Sequence, residues 1–164
     1  MKLKIWLAVC FSIFILGGCS SKTGLGGLGG NSSTTEFGDI SQSSIEFFTE
    51  SVGNTILFEV NKSTLAPNTI TNLQAQARWL EQNSSIPITI EGHADEQGTR
   101  EYNLALGARR ATSVRNFLVS QGISETRLSI VTYGKERPIE ICSMEECWSK
   151  NRRSVTVVSG GLGN

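Results

Sequence analysis

Two spacings of apolar residues alternate along this 164-residue chain, and each change of spacing marks a new element. Thr55 to Glu59 (TILFE) reads as a strand. Pro67 suits the first turn of a helix in which Ile70, Leu73, Ala77 and Leu80 recur at helical spacing. Ile88, Ile90 and Gly92 then interleave with Thr89, Glu91 and His93, which predicts a second strand with one apolar and one polar face. A longer helix is predicted over 101–121, with Leu104, Ala108, Ala111 and Leu118 as its inward stripe and Gly122 as its cap. Leu128 to Tyr133 is a third strand and Val155 to Val158 a fourth. Strands alternating with helices of this length predict an α/β sandwich, an α+β arrangement with helices on one face of a small sheet.

The flanks follow other patterns. Lys2 and Lys4 precede an apolar run from Ile5 to Leu16 broken only by Ser12, so residues 1–18 have the layout of a secretory signal. The run is short of the roughly 20 residues that a membrane span needs. Leu16-Gly17-Gly18-Cys19 resembles the lipobox of bacterial lipoproteins, whose cysteine becomes a lipidated N-terminus. Each buried acyl methylene contributes about 0.8 kcal/mol and one chain alone is marginal, so a multiply acylated Cys19 would hold the protein stably on a membrane. By resemblance to lipoprotein sorting, Ser20, where inner-membrane retention commonly uses aspartate, implies the outer membrane. Residues 19–40 are Gly- and Ser-rich and read as a flexible tether with a reach of about 25 Å. Residues 160–164 form a short tail of similar composition. Between them, 41–159 is one domain, of a size that buries about two-thirds of its unfolded surface. No series of ten-residue alternating segments suggests a membrane barrel.

The formal net charge of zero includes Lys2 and Lys4, leaving 15 − 2 = 13 basic side chains against 15 acidic ones. No basic excess attracts nucleic acid. The stretch 89-TIEGHADEQGTREYN-103 crowds the one histidine, four acidic residues and an arginine together, and three chemistries compete for it. A catalytic His93/Asp95 pair would need a positioned nucleophile, and no G-x-S-x-G occurs, so no enzyme is expected. One histidine and scattered carboxylates do not supply a zinc site, so neither metal nor cofactor is expected. Cys142 and Cys147 lie in another segment; in an exported chain that has lost Cys10 and acylated Cys19, they are expected to form a disulfide. Ligand capture remains. Asn103 and Arg110 are two helical turns apart and share a face, on a helix that begins just after Asp95. Asp95 and Arg110 therefore either flank a groove suited to a zwitterion or pair with each other, and spacing leaves both open.

Residues 88-ITIEGHADEQGTREYN-103, 106-LGARRA-111, 130-IVTYGKERP-138 and 149-SKNRRSVTV-157 closely resemble the OmpA C-terminal domain family, in particular its outer-membrane lipoproteins. The resemblance runs from Thr55 to Val158. It implies a four-stranded mixed sheet with helices on one face, in a periplasmic module that binds the peptide stem of peptidoglycan, chiefly its meso-diaminopimelate, without catalysis. By position, Asp95 takes the ligand's ammonium and Arg110 its carboxylate, through the two parallel bonds that a guanidinium fork offers. Asn61 and Asn103 fall where supporting polar contacts lie. Arg152 or Arg153 closes the pocket, strand parity leaving the choice open, and His93 and Gly92 shape the strand end. Glu59 stands where the family more often has aspartate. The resemblance also implies a partner, TolB, and through it the inner-membrane Tol complex that draws the envelope in at division. The rivals are an OmpA-like lipoprotein without a Tol partner and a peptidoglycan hydrolase.

Replacing Cys19 by Ala is expected to leave an unacylated precursor or soluble protein. Membrane fractionation after a high-salt wash, with mass spectrometry of the N-terminal peptide, checks this.

Overall fold

The computed structural model describes residues 41–159; the leader over 1–18, Cys19 and its tether, and the tail over 160–164 lie outside them. Helix α1 (Ile45–Phe47) continues into a π-helical turn (Phe48–Gly53), followed by β1 (Thr55–Leu57), α2 (Pro67–Gln82), β2 (Ile88–His93) and α3 (Arg100–Ser120). A 3-10 turn (Glu125–Arg127), β3 (Leu128–Gly134), α4 (Glu145–Asn151) and β4 (Arg153–Val158) complete the order. The four strands form one mixed sheet in the order β1-β4-β2-β3, with β2 and β3 parallel and the other pairs antiparallel. This is the α/β sandwich anticipated above.

Register sets the inner face. Ile88 lies opposite both Leu128 and Val158, Ile90 opposite Thr156, and Ile56 opposite Ser154. Their apolar members join Leu73, Ala77 and Leu80 of α2 and Ala111, Val114 and Leu118 of α3 in a single core. Each such large side chain stabilises by roughly 1.5–3 kcal/mol on full burial. Polar groups in this layer are paired: Thr156 Oγ1 donates to Gln76 Oε1 (2.8 Å), and Gln76 Nε2 donates to the Gly53 carbonyl (2.8 Å). Phe48 packs on Trp79 at 4.6 Å between ring centres, and Trp79 Nε1 donates to the Gln42 carbonyl.

Several boundaries differ from the pattern. β1 stops at Leu57 rather than Glu59, because the chain turns there and Lys62 N donates to the Glu59 carbonyl (3.2 Å). β4 begins at Arg153. α4 was not anticipated: its sequence, EECWSKN, has no apolar stripe to announce it. The inward stripe of α3 is also shifted. Leu104 and Ala108 are only half-buried, whereas Asn103, Leu106, Gly107, Arg110, Ala111, Val114 and Leu118 are buried. Ala111 and Leu118 of the expected stripe do face the core, but a stripe that also contains an asparagine, an arginine and a glycine does not register as apolar, so hydrophobic periodicity missed its N-terminal half.

Gly107 has a steric reason to be there. α3 crosses β2 backbone to backbone: a Cβ on Gly92 would lie 1.9 Å from the Gly107 carbonyl oxygen, and one on Gly107 would lie 2.5 Å from Thr132 Oγ1. At the far end of α3, Gly122 takes φ +96°. Its N–H bonds to the Val119 carbonyl (2.9 Å) while that of Ile123 bonds to Leu118 (3.1 Å), a Schellman cap. Arg127 closes α2 from outside, donating to the carbonyls of Leu80, Asn83 and Ile86.

Gly107→Ala should raise helix propensity by about 1 kcal/mol yet lower net stability by about 2 kcal/mol, because the helix must move off the strand. Urea unfolding measures this, and a stabilised variant would contradict the close crossing.

Candidate functional site

β2 ends in a bulge. Gly92 pairs with Thr132 but His93 with Gly134, and Ala94 N then donates to the Gly134 carbonyl (2.7 Å). This irregularity turns the chain out of the sheet into Ala94 and Asp95, and Thr99 caps the start of α3 by accepting from Tyr102 N. The helix returns over the strand end, bringing Asn103 and Arg110 beside it.

Arg110 is fully buried. Its Nε donates to the Lys62 carbonyl (2.9 Å), Nη1 to His93 (2.8 Å) and Nη2 to Glu59 (3.2 Å), and its guanidinium lies 5.3 Å from the centre of the Phe58 ring. One side chain thus stitches the turn after β1 to the end of β2. A guanidinium has five N–H donors, so 5 − 3 = 2 remain. Burial pulls the pKa of Arg110 down to about 10, with the Asp95 charge opposing, and it stays protonated at neutral pH.

Asp95 is buried and accepts from Arg152 Nη1 through Oδ2 (3.2 Å) and from Gln97 N through Oδ1 (3.2 Å). Its ion pair is with Arg152. The mutual pairing of Asp95 with Arg110 that spacing left open is not made. Arg152 also donates through Nε to the Phe58 carbonyl (3.2 Å) and meets Glu145 with both terminal nitrogens. Burial works against its charge, but the hydrogen bonds with Glu145 and Asp95 more than offset this and its pKa is raised. Arg153 points elsewhere, donating to the carbonyls of Arg137 and Asn151, so of the two arginines Arg152 is the one beside Asp95. Asn103 is buried, with Nδ2 on the Gln97 carbonyl (2.8 Å) and Oδ1 unpartnered. Asn61 is exposed at φ +56° and its Oδ1 accepts from the Tyr102 hydroxyl (3.4 Å). A cavity of about 280 Å³ opens beside Arg152, between Phe58, Glu59, Asn68, Thr69 and Ser149.

His93 and Asp95 form no dyad. The imidazole is buried with Nε2 3.4 Å from a Glu91 carboxylate oxygen and its ring 5.4 Å from that of Tyr133. Among the described residues no group of three or more His, Cys, Asp or Glu side chains could hold a metal ion. Cys142 and Cys147 are joined in a disulfide, with Cα atoms 5.8 Å apart. Glu145 was missed from the sequence. The signal that could have found it is its seven-residue separation from Arg152, the same two-turn spacing that relates Asn103 to Arg110.

The sequence pattern of the OmpA family matches residues 57–152, more than half of the chain and the whole of this site. The chain belongs to the OmpA family. It is 44% identical over 145 residues to the peptidoglycan-associated lipoprotein of Agrobacterium fabrum, covering 88% of this chain and 82% of that protein. The crystal structure of the peptidoglycan-associated lipoprotein from Burkholderia pseudomallei superimposes with a TM-score of 0.65 at 33% identity, over 68% of this chain and 96% of that one. The C-terminal domain of Helicobacter pylori MotB shares the fold, with a TM-score of 0.62 at 22% identity over 66% and 86% of the two chains. OmpA-family domains of this kind are binding modules, not enzymes. No helix among the described residues is long and apolar enough to cross a membrane.

The buried imidazole of this OmpA-family domain also makes its stability pH-dependent. Burial first, then the charges of Arg153 and Arg137, lower the His93 pKa from 6.5 to about 4, with Glu91 the facing carboxylate. The unfolded chain binds the proton more readily than the folded one. The His93 contribution to stability is therefore nearly complete well above pH 6.5, falls by about 3 kcal/mol as pH drops to 4, and levels off below that. Urea unfolding across this window should show the slope, and His93→Gln should flatten it.

Proposed function

We propose that this protein binds the peptide stem of peptidoglycan without covalent chemistry, gripping the zwitterionic centre of meso-diaminopimelate between Asp95 and Arg110. The observation that carries the reading is that these two buried, opposite charges meet at one strand end without neutralising each other. Asp95 offers spare oxygen lone pairs beside its single bonds to Arg152 and Gln97, and Arg110 keeps two N–H donors beyond its three carbonyl partners. An ammonium suits the first and a carboxylate the second. The unpartnered Oδ1 of Asn103 and the exposed amide of Asn61 supply further polar contacts, and Arg152 closes the side nearest Asp95.

The names of the relatives support peptidoglycan as the polymer bound, and the leader with Cys19 supports the setting: a lipid anchor in the outer membrane and a binding domain in the periplasm. The protein then acts as a tether whose single contacts are weak but whose many copies act on one sheet of polymer. TolB and the Tol complex are its proposed partners in envelope integrity and division. Sedimentation with purified sacculi, measured beside muropeptide release, separates binder from hydrolase, and co-purification with TolB tests the partner.

Asp95→Asn, which keeps the shape and removes the charge, should weaken binding to a diaminopimelate-containing muropeptide about ten- to hundredfold. Arg110→Lys should lose a comparable factor, with reduced stability as well, because the Glu59, His93 and Lys62 carbonyls lose their shared donor. Calorimetric titration of folded variants, with melting temperatures recorded, reads both effects. Parental affinity in Asp95→Asn would refute the site.

A further inference from the structure

We infer that the turn closed by the Cys142–Cys147 disulfide is part of the ligand site, holding Glu145 on Arg152 so that the charge of Asp95 stays available to an ammonium. This rests on the reading above that Asp95 receives the ligand's ammonium.

Arg110 and Arg152 are both buried, and both lie within electrostatic reach of Asp95. One carboxylate cannot balance two guanidiniums, and an excess buried cation is costly. It would also repel the ammonium that the site is proposed to bind. Glu145 supplies the second carboxylate and makes the balance two against two.

Contact geometry then divides the labour. Glu145 takes Arg152 at two points, Oε2 to Nη1 (3.2 Å) and Oε1 to Nη2. Asp95 touches the same guanidinium through one oxygen only. Arg152 thus spends its fork on Glu145, and the hydrogen bond from Arg152 holds the Glu145 carboxyl below the usual carboxylate range, so the pair remains ionised. Without Glu145 the fork would be free to engage both oxygens of Asp95.

An exposed glutamate would ordinarily hold such a contact weakly, since ordering its side chain costs most of what the pair contributes. The Glu145 side chain is 62% exposed, yet the segment that carries it is fastened at several neighbouring residues. The disulfide brackets it, and Cys147 N donates to the Met144 carbonyl. Trp148 Nε1 reaches Glu96 Oε1 (3.1 Å) next to Asp95. Asn151 binds the backbone of Ile139 and Glu140 through three hydrogen bonds. The turn is a brace aimed at one arginine.

The test uses the full chain, disulfide-bonded except where both cysteines are replaced, and two probes: a diaminopimelate-containing muropeptide, and the same muropeptide acetylated on the diaminopimelate amine. Glu145→Gln should bind the free-amine probe about tenfold more weakly, leave the acetylated probe almost unchanged, and shift the melting temperature little. Glu145→Asp should recover part of the loss. Cys142→Ser/Cys147→Ser should weaken free-amine binding too, and adding Glu145→Gln to it should cost less than Glu145→Gln alone, as expected for groups acting together. Unchanged or tighter binding by Glu145→Gln, or an equal loss for both probes, overturns the inference. Asp95→Asn run alongside separates the two readings. If it loses the preference for the free amine while Glu145→Gln keeps it, this inference alone falls; if both keep it, the site assignment falls and carries this one with it.

Discussion

The backbone contact between Gly92 and Gly107 is the constraint on which the rest of this domain depends. Helices usually stand off a sheet by the thickness of the side chains between them. Here two glycines remove that spacer, and the oxygen of Gly107 occupies the place a Cβ on Gly92 would take. The gain is reach. Arg110 lies one turn beyond Gly107, and only because the helix is pressed onto β2 can its guanidinium reach the His93 carbonyl and the turn after β1 together.

Arginines, rather than apolar groups, then hold the loops. Arg110 ties three carbonyls between two segments, Arg127 ties three at the end of α2, and Arg152 joins the Phe58 carbonyl to Asp95 and Glu145. Planar guanidinium forks suit this work because they satisfy several backbone acceptors from one side chain in a fixed geometry. The consequence for function is rigidity around charged groups. Under the proposed binding, the groups that would face the ligand need not be ordered at the moment of contact, which lowers the entropic cost of recognition.

Much of this was legible in the sequence, and the failures have physical causes. The four strands, α2 and α3, and the Gly122 cap follow from spacing and turn chemistry, because the core-facing residues of the strands and α2 are mostly apolar. The face of α3 followed only in its C-terminal half, at Ala111 and Leu118, since the rest of its buried stripe contains Asn103, Gly107 and Arg110, residues placed by hydrogen bonding and close approach. α4 escaped notice because it is short and fastened by a disulfide, Trp148 and Asn151 instead of by a hydrophobic stripe. The family motifs brought Asp95, Asn103 and Arg110 into view together. They could not bring in Glu145, which opens α4 inside the disulfide-closed segment where the resemblance is less diagnostic than in its flanks. Nor could parity along β4 choose between Arg152 and Arg153, because Arg152 sits at the end of α4, just outside the regular strand.

The sheet order carries a last consequence, for how the chain acquires its shape. β4, final in sequence, sits between β1 and β2, and Thr55 pairs with Val155. β1 therefore has no neighbour to pair with until almost the whole domain has been delivered. Contacts so distant along the chain close slowly, because loop entropy is spent before the pairing that compensates it.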